Sequence, residues 1–155
     1  MISHVLMQPK GKPLERWIHI LVVDDEEDIR DVLRSFLEAS GYYVLVAESG
    51  PSGLKLAEHF PGSIDLLITD IRMPHMNGIS FARQMRAVRP EMKILYMLAS
   101  GGELSTAELE PNTNFIAKPF SQENLAKRLL RILERSQSES DHTGISPQPG
   151  IPQKT

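Results

Sequence analysis

The sequence predicts an α/β layer fold with a parallel sheet between helices, and three observations carry that expectation. Strand-like and helix-like patterns alternate five times along the chain, which is the signature of helices layered on a parallel sheet. The strand-like runs are short and nearly continuously apolar, as in Ile64-Asp65-Leu66-Leu67-Ile68-Thr69; such runs suit strands buried on both faces. Acids stand where two of these runs end, at Asp24-Asp25 and at Asp70. In open parallel sheets, ligands and chemistry collect at the carboxyl ends of the strands.

The composition is that of a soluble globular chain. Of 155 residues, 41% are hydrophobic and 24% charged, enough for one domain with a single sizeable core and tails. A formal net charge of −3 offers no basic excess for nucleic acid. The chain has no cysteine, which excludes disulfides, thiolate metal sites and a cysteine nucleophile, and is compatible with a reducing cytosol. No apolar run approaches the ~20 residues that cross a bilayer, and Met1 to Trp17 carry lysines and prolines but no sustained apolar segment, so a signal peptide is not expected.

Each element follows in order. Residues 1–16, punctuated by Pro9, Gly11 and Pro13, are expected to be a flexible lead-in. His19-Ile20-Leu21-Val22-Val23 predicts a first buried strand. The acids Asp24 to Asp28 end it and open a helix with Ile29, Val32, Leu33, Phe36 and Leu37 at helical spacing. Acids favour a helix start through the dipole, so Glu26, Glu27 and Asp28 read as a solvated first turn. Gly41 is the expected stop. Tyr43 to Ala47 is the second strand; Ser49 and Pro51 cap and open the second helix, which ends before Pro61-Gly62. The third strand is Ile64 to Thr69. A loop through Met73-Pro74 and Met76-Asn77-Gly78 leads to a helix with Ile79, Ala82, Met85 and Val88, closed by Arg89-Pro90. Lys93 to Leu98 is the fourth strand, and Glu103 to Glu110 a short helix cut off by Pro111. Asn114 to Lys118 is the fifth strand, and Ser121 caps a last helix with Leu125, Leu129, Leu130, Ile132 and Leu133. The folded body is expected at 17–135, followed by a polar, disordered tail at 136–155.

Right-handed crossovers bring the ends of strands one, three, four and five to one edge. Asp24, Asp25 and Asp70 then cluster, with Lys118 at the same edge. Clustered carboxylates repel unless a cation sits among them, and Mg²⁺ prefers such oxygen ligands. Acids, a hard cation and a lysine together suit phosphoryl transfer, with Asp70 placed to attack phosphorus. Taken singly, each signal has a plainer reading. Asp70 could start a turn, Asp24-Asp25 could be only a helix start, and Lys118-Pro119 could be an ordinary strand exit. His75 reads as an exposed turn residue without a role.

The motifs Ile20-Leu21-Val22-Val23-Asp24-Asp25, Asp70-Ile71-Arg72-Met73-Pro74 with Met76-Asn77-Gly78, and Lys118-Pro119-Phe120 occur in this order. On them the chain resembles the receiver domain of bacterial two-component response regulators, of the single-domain, chemotaxis-regulator type, along about Ile18 to Leu133. The resemblance implies a flavodoxin-like three-layer sandwich with strand order 2-1-3-4-5. It implies that Asp70 is the phosphoacceptor and that Asp24, Asp25, Asp70 and the backbone carbonyl of Arg72 hold Mg²⁺, with Asp25 a direct ligand. Lys118 would pair with the phosphoryl group, and Lys118-Pro119 would be a cis peptide. The implied partners are a sensor histidine kinase or a histidine phosphotransfer protein, and an unknown output protein. Direct nucleic-acid binding and membrane insertion are not expected. The protein would be cytoplasmic, and not an enzyme beyond its own aspartyl phosphorylation and dephosphorylation.

One departure stands out. The family's Ser or Thr at the end of the fourth strand falls here on Leu98, which has no hydroxyl. Ser100, two residues on, is a candidate substitute, and Phe115 occupies the aromatic switch position. Two further readings follow: a receiver-shaped interaction module that does not use phosphate, and a Mg²⁺-dependent aspartyl phosphatase. The phosphatase would need an acid two residues after Asp70 for proton transfer, and that position is Arg72.

Overall fold

The computed structural model describes residues 17–99 and 113–142, with side chains through Glu134. Its elements run β1 (His19–Val23), α1 (Glu27–Ala39), β2 (Tyr43–Ala47), α2 (Gly50–His59), β3 (Leu66–Asp70), α3 (Gly78–Val88), β4 (Lys93–Leu98), β5 (Asn114–Ala117) and α4 (Gln122–His142). The strands form one parallel sheet in the order β2-β1-β3-β4-β5. This is the α/β doubly wound arrangement that the alternating pattern predicts.

Alternate residues of each strand enter two cores because side chains point to opposite faces with period two. Ile20, Val22, Leu66, Ile68, Leu95 and Met97 pack under α1 and α4, against Leu33, Leu37, Leu125 and Leu129. Leu21, Val23, Leu67, Ile94 and Tyr96 face α2 and α3, against Ala57, Phe81, Ala82 and Met85. Every residue of β3 is buried, which accounts for its near-continuous apolar run.

The helix boundaries have local causes. At the end of α1, Gly41 adopts φ 93°. The Gly41 N–H donates to the Glu38 carbonyl and the Tyr42 N–H to the Leu37 carbonyl, the Schellman stop that glycine permits. Ser49 caps α2 by accepting from the Ser52 N–H at 3.2 Å. Ser121 caps α4 by accepting from the Asn124 N–H at 3.1 Å.

Three elements differ from expectation in their bounds, β3 also running one residue further, to Asp70. β3 begins at Leu66 rather than Ile64; Asp65 just before it still bonds its neighbours through its backbone, its N–H donating to the His19 carbonyl at 2.9 Å and its carbonyl accepting from the Lys93 N–H at 3.0 Å, while its carboxylate accepts from the His19 N–H at 2.9 Å. β5 ends at Ala117, one residue before Lys118. Helix α4 continues through 136–142, where composition predicted a tail; no glycine or proline lies between Ser121 and His142, and extending a formed helix is cheap relative to starting one. The expected lead-in at 1–16, the Glu103–Glu110 helix, Ser100 and the rest of the tail lie outside the described residues.

The register fixes the functional edge. Val23 pairs with Ala47 on one side and Thr69 on the other. Asp70 pairs with Met97, and Leu98 with Ala117. Asp24, Asp70 and Lys118 therefore emerge together at the carboxyl edge.

Candidate functional site

Asp24 follows the last residue of β1 and precedes α1, so it belongs to the strand exit and not to the helix's first turn. Its N–H donates to the Ala47 carbonyl at 3.3 Å. One carboxylate oxygen accepts from the Glu26 N–H at 2.8 Å, and the other from the Lys118 ammonium at 2.9 Å. Arg30, one turn into α1, donates from its guanidinium to the Asp24 carbonyl at 2.7 Å. Glu26, Glu27 and Asp28 are exposed, as a solvated helix start requires.

Asp70 closes β3. Its carboxylate accepts from the Lys118 ammonium at 3.0 Å and from the Arg72 N–H at 3.2 Å. The Ile71 N–H donates to the Met97 carbonyl at 3.3 Å, which ties the strand exit to β4. Lys118 is positioned by its own N–H, which donates to the Leu98 carbonyl at 2.6 Å, and the Lys118-Pro119 peptide is cis.

Asp24 and Asp70 are buried, and Asp25 is exposed. Each of the three offers a carboxylate oxygen, and these oxygens all lie within 4.8 Å of one another. Lys118 bridges the two buried acids with a side chain only 15% exposed. Burial pushes the Asp24 carboxyl above its ordinary range, against the pull of the Glu26 N–H and Lys118. Burial lowers the Lys118 pKa, but its bonds to Asp24 and Asp70 outweigh that, and the ammonium ends above the usual lysine value. A positive group is thus held firmly charged between two acids, one of them reluctant to ionise. An all-oxygen donor set of this size fits a hard divalent cation, so the acidic cluster is able to bind a metal.

The predicted residues divide into two groups. Asp24, Asp25, Asp70 and Lys118 converge, and Arg72 touches the site through its N–H. Leu98 and Phe115 lie on the β4–β5 flank. Leu98 is half-buried and reaches the site only through its backbone carbonyl. The Phe115 ring stacks on Tyr96 with centroids 5.7 Å apart and an interplanar angle of 29°. His75 is exposed, with φ 69°.

The sequence marks Gly78 only as part of the Met76-Asn77-Gly78 motif and gives Arg30 no role. Arg30 stands six residues after Asp24, a distance one helical turn closes. Gly78 is needed because the start of α3 lies against the Asp70 backbone. A Cβ at Gly78 would collide with the Asp70 carbonyl oxygen and fall 2.8 Å from the Ile71 Cα.

Comparison with known proteins agrees with this geometry. The family model for the response regulator receiver domain matches residues 20–130. The response regulator SaeR of Staphylococcus epidermidis is 34% identical over 127 residues, 81% of this chain and 54% of that protein. SaeR of Staphylococcus aureus is 32% identical over 119 residues, 76% of this chain and 51% of its own. The chain thus spans about half the length of the curated relatives it matches. Among solved structures, a CheY-like receiver domain protein from Methanospirillum hungatei aligns with a TM-score of 0.71 and 27% identity, covering 80% of this chain and 99% of that one. Chemotaxis protein CheY4 of Vibrio cholerae aligns with a TM-score of 0.65 and 29% identity, covering 76% and 99%. The chain belongs to the response regulator receiver domain family.

Proposed function

We propose that Asp70 accepts a phosphoryl group from a phosphohistidine donor, a sensor histidine kinase or a histidine phosphotransfer protein, and that the modified domain changes its binding to an output protein. The observation that carries this reading is the Lys118 ammonium, bonded at once to Asp24 and Asp70. In the transfer, an Asp70 carboxylate oxygen forms the new bond to phosphorus. The phosphorus–nitrogen bond of the donor breaks, and its electron pair returns to the donor imidazole. Lys118 then exchanges one carboxylate partner for a phosphoryl oxygen at the same edge. Asp24, Asp25, Asp70 and the Arg72 carbonyl would hold Mg²⁺. That ion would supply charge neutralisation for the acids and the incoming phosphoryl oxygens. We place the receiver body at 17–135 and the protein in the cytoplasm; among the described residues no helix is long and apolar enough to cross a membrane.

The test is intact-mass analysis after incubation with acetyl phosphate, with and without Mg²⁺. One phosphoryl group is expected on the wild type with Mg²⁺, and none on Asp70→Asn. A labelled Asp70→Asn protein would show that another residue is the acceptor. Leu98 favours a second reading, a receiver-shaped interaction module that works without phosphate. Under that reading the wild type stays unlabelled. Retention of the acids and Lys118 in bonded contact supports the first.

A further inference from the structure

The loop that follows Asp70 is held at two places, and at each a missing side chain makes the room. The first is Gly78, whose N–H donates to the Ile71 carbonyl at 2.8 Å where a Cβ could not fit. The second is Gly50, the buried first residue of α2. A Cβ built on Gly50 would lie 2.5 Å from the Met76 sulfur, 3.3 Å from its Cγ and 3.4 Å from its Cβ. Met76 therefore fills the space that a side chain at Gly50 would take. One turn on, Gly53 gives similar room to Phe81, whose ring tip would lie 2.8 Å from an added Cβ. The face of α2 made by Gly50, Gly53 and Ala57 is buried and lets the helix lie close to the loop and to α3.

We propose that Gly50 is a positioning residue for the acidic site: the notch it leaves seats Met76 and so sets the loop that carries Arg72 beside Asp70. The inference rests on the reading of Asp24, Asp25 and Asp70 as a cation site completed by the Arg72 backbone. An added methyl would overlap the Met76 sulfur and press on its Cγ, so the side chain must leave the position it holds. The inference is that the loop, deprived of that seat, resettles, and Arg72 is four residues away on the same short loop. Nothing else at Gly50 demands glycine. Its φ is not in the left-handed region, which among the described glycines Gly41 adopts, and alanine is the better helix residue. A merely structural role therefore predicts that Gly50→Ala costs stability through the Met76 overlap and leaves Mn²⁺ affinity unchanged.

The experiment is Mn²⁺ titration by calorimetry on the full chain, with urea unfolding measured in parallel. Gly50→Ala is expected to fold cooperatively and to bind Mn²⁺ roughly tenfold more weakly, the scale typical of lost support around metal ligands. Adding Met76→Ala to Gly50→Ala vacates the collision and is expected to restore most of the affinity. Wild-type affinity in Gly50→Ala, or an unrelieved loss in the double variant, would overturn the proposal. Should Gly50→Ala fail to fold, Met76→Phe overfills the notch from the loop side; weakened binding is again expected, and unchanged binding overturns the proposal. A wild type that binds no Mn²⁺ would overturn the cation-site reading and this inference with it. Binding that Gly50→Ala leaves intact removes this inference alone.

Discussion

Two cations sit among oxygen atoms at opposite ends of this sheet, and their partners differ in kind. At the carboxyl edge, the Lys118 ammonium bonds two carboxylates, Asp24 and Asp70. At the amino edge, Arg89 follows α3, and its guanidinium donates to the carbonyls of Gly62, Ala57 and Phe60 at 2.7, 2.8 and 2.6 Å. Arg89 thereby ties the end of α2 to the end of α3, and its partners are neutral backbone groups that nothing need displace. Lys118 stands between two acids that repel each other without it, and under the proposed function one of its bonds is exchanged for one to an incoming anion. The same device, a cation gathering oxygens from distant segments, is a fastener in one place and, under the proposed function, a reactive site in the other. What distinguishes them is the charge and replaceability of the oxygens.

This comparison can be broken by experiment. Lys118→Ala leaves two buried acids facing each other; in the absence of divalent ions it should lower the unfolding free energy by about 3 kcal/mol and abolish rapid labelling by acetyl phosphate. Intact labelling would contradict a reactive role. Divalent cation should act on the carboxyl edge alone. At about a hundred times its dissociation constant, Mg²⁺ should add about 2.7 kcal/mol to the wild type, and almost nothing to Asp25→Asn at the same concentration, as read by urea midpoints. Arg89→Ala strands three carbonyls and should cost about 2 kcal/mol, while Mn²⁺ affinity and labelling stay at wild-type values. A loss of either function there would erase the distinction between the two ends.

The smallest effect is expected at the flank of the site. Leu98→Thr should cost about 1 kcal/mol in stability and should enlarge the amide shifts in β4 and β5 on adding beryllofluoride with Mg²⁺. The new hydroxyl would give the phosphoryl mimic a partner on β4. An NMR response equal to the wild type's would mean that Leu98 does not limit coupling to that flank.

Sequence made the reactive end legible and left the fastening end hidden. Lys118 and the acids could be read because charged residues at strand ends are conspicuous against β-branched runs, and strand order brings those ends together. Arg89 read only as the residue before a proline. Its partners are carbonyls 27 to 32 residues earlier, and a carbonyl leaves no mark on composition. Gly50 was similarly hidden, since a glycine beside Pro51 reads as a helix opening and the Met76 it accommodates lies on another loop. Asp65 reads as part of the strand run, and its backbone does bond His19 and Lys93; what the run hides is its carboxylate bond to the His19 N–H. Helix α4 outran its expected end because composition reports the lack of a core and not the lack of a helix stop.

The most direct test of the central claim is to trap the phosphoryl linkage chemically. Wild-type protein is treated with acetyl phosphate and Mg²⁺, reduced with borohydride to convert an acyl phosphate to its alcohol, and mapped by peptide mass. Conversion at residue 70 alone is the expected result. Conversion at Asp24 or Asp25, with residue 70 untouched, would contradict the assignment of Asp70 as the group that Lys118 and its neighbouring acids serve.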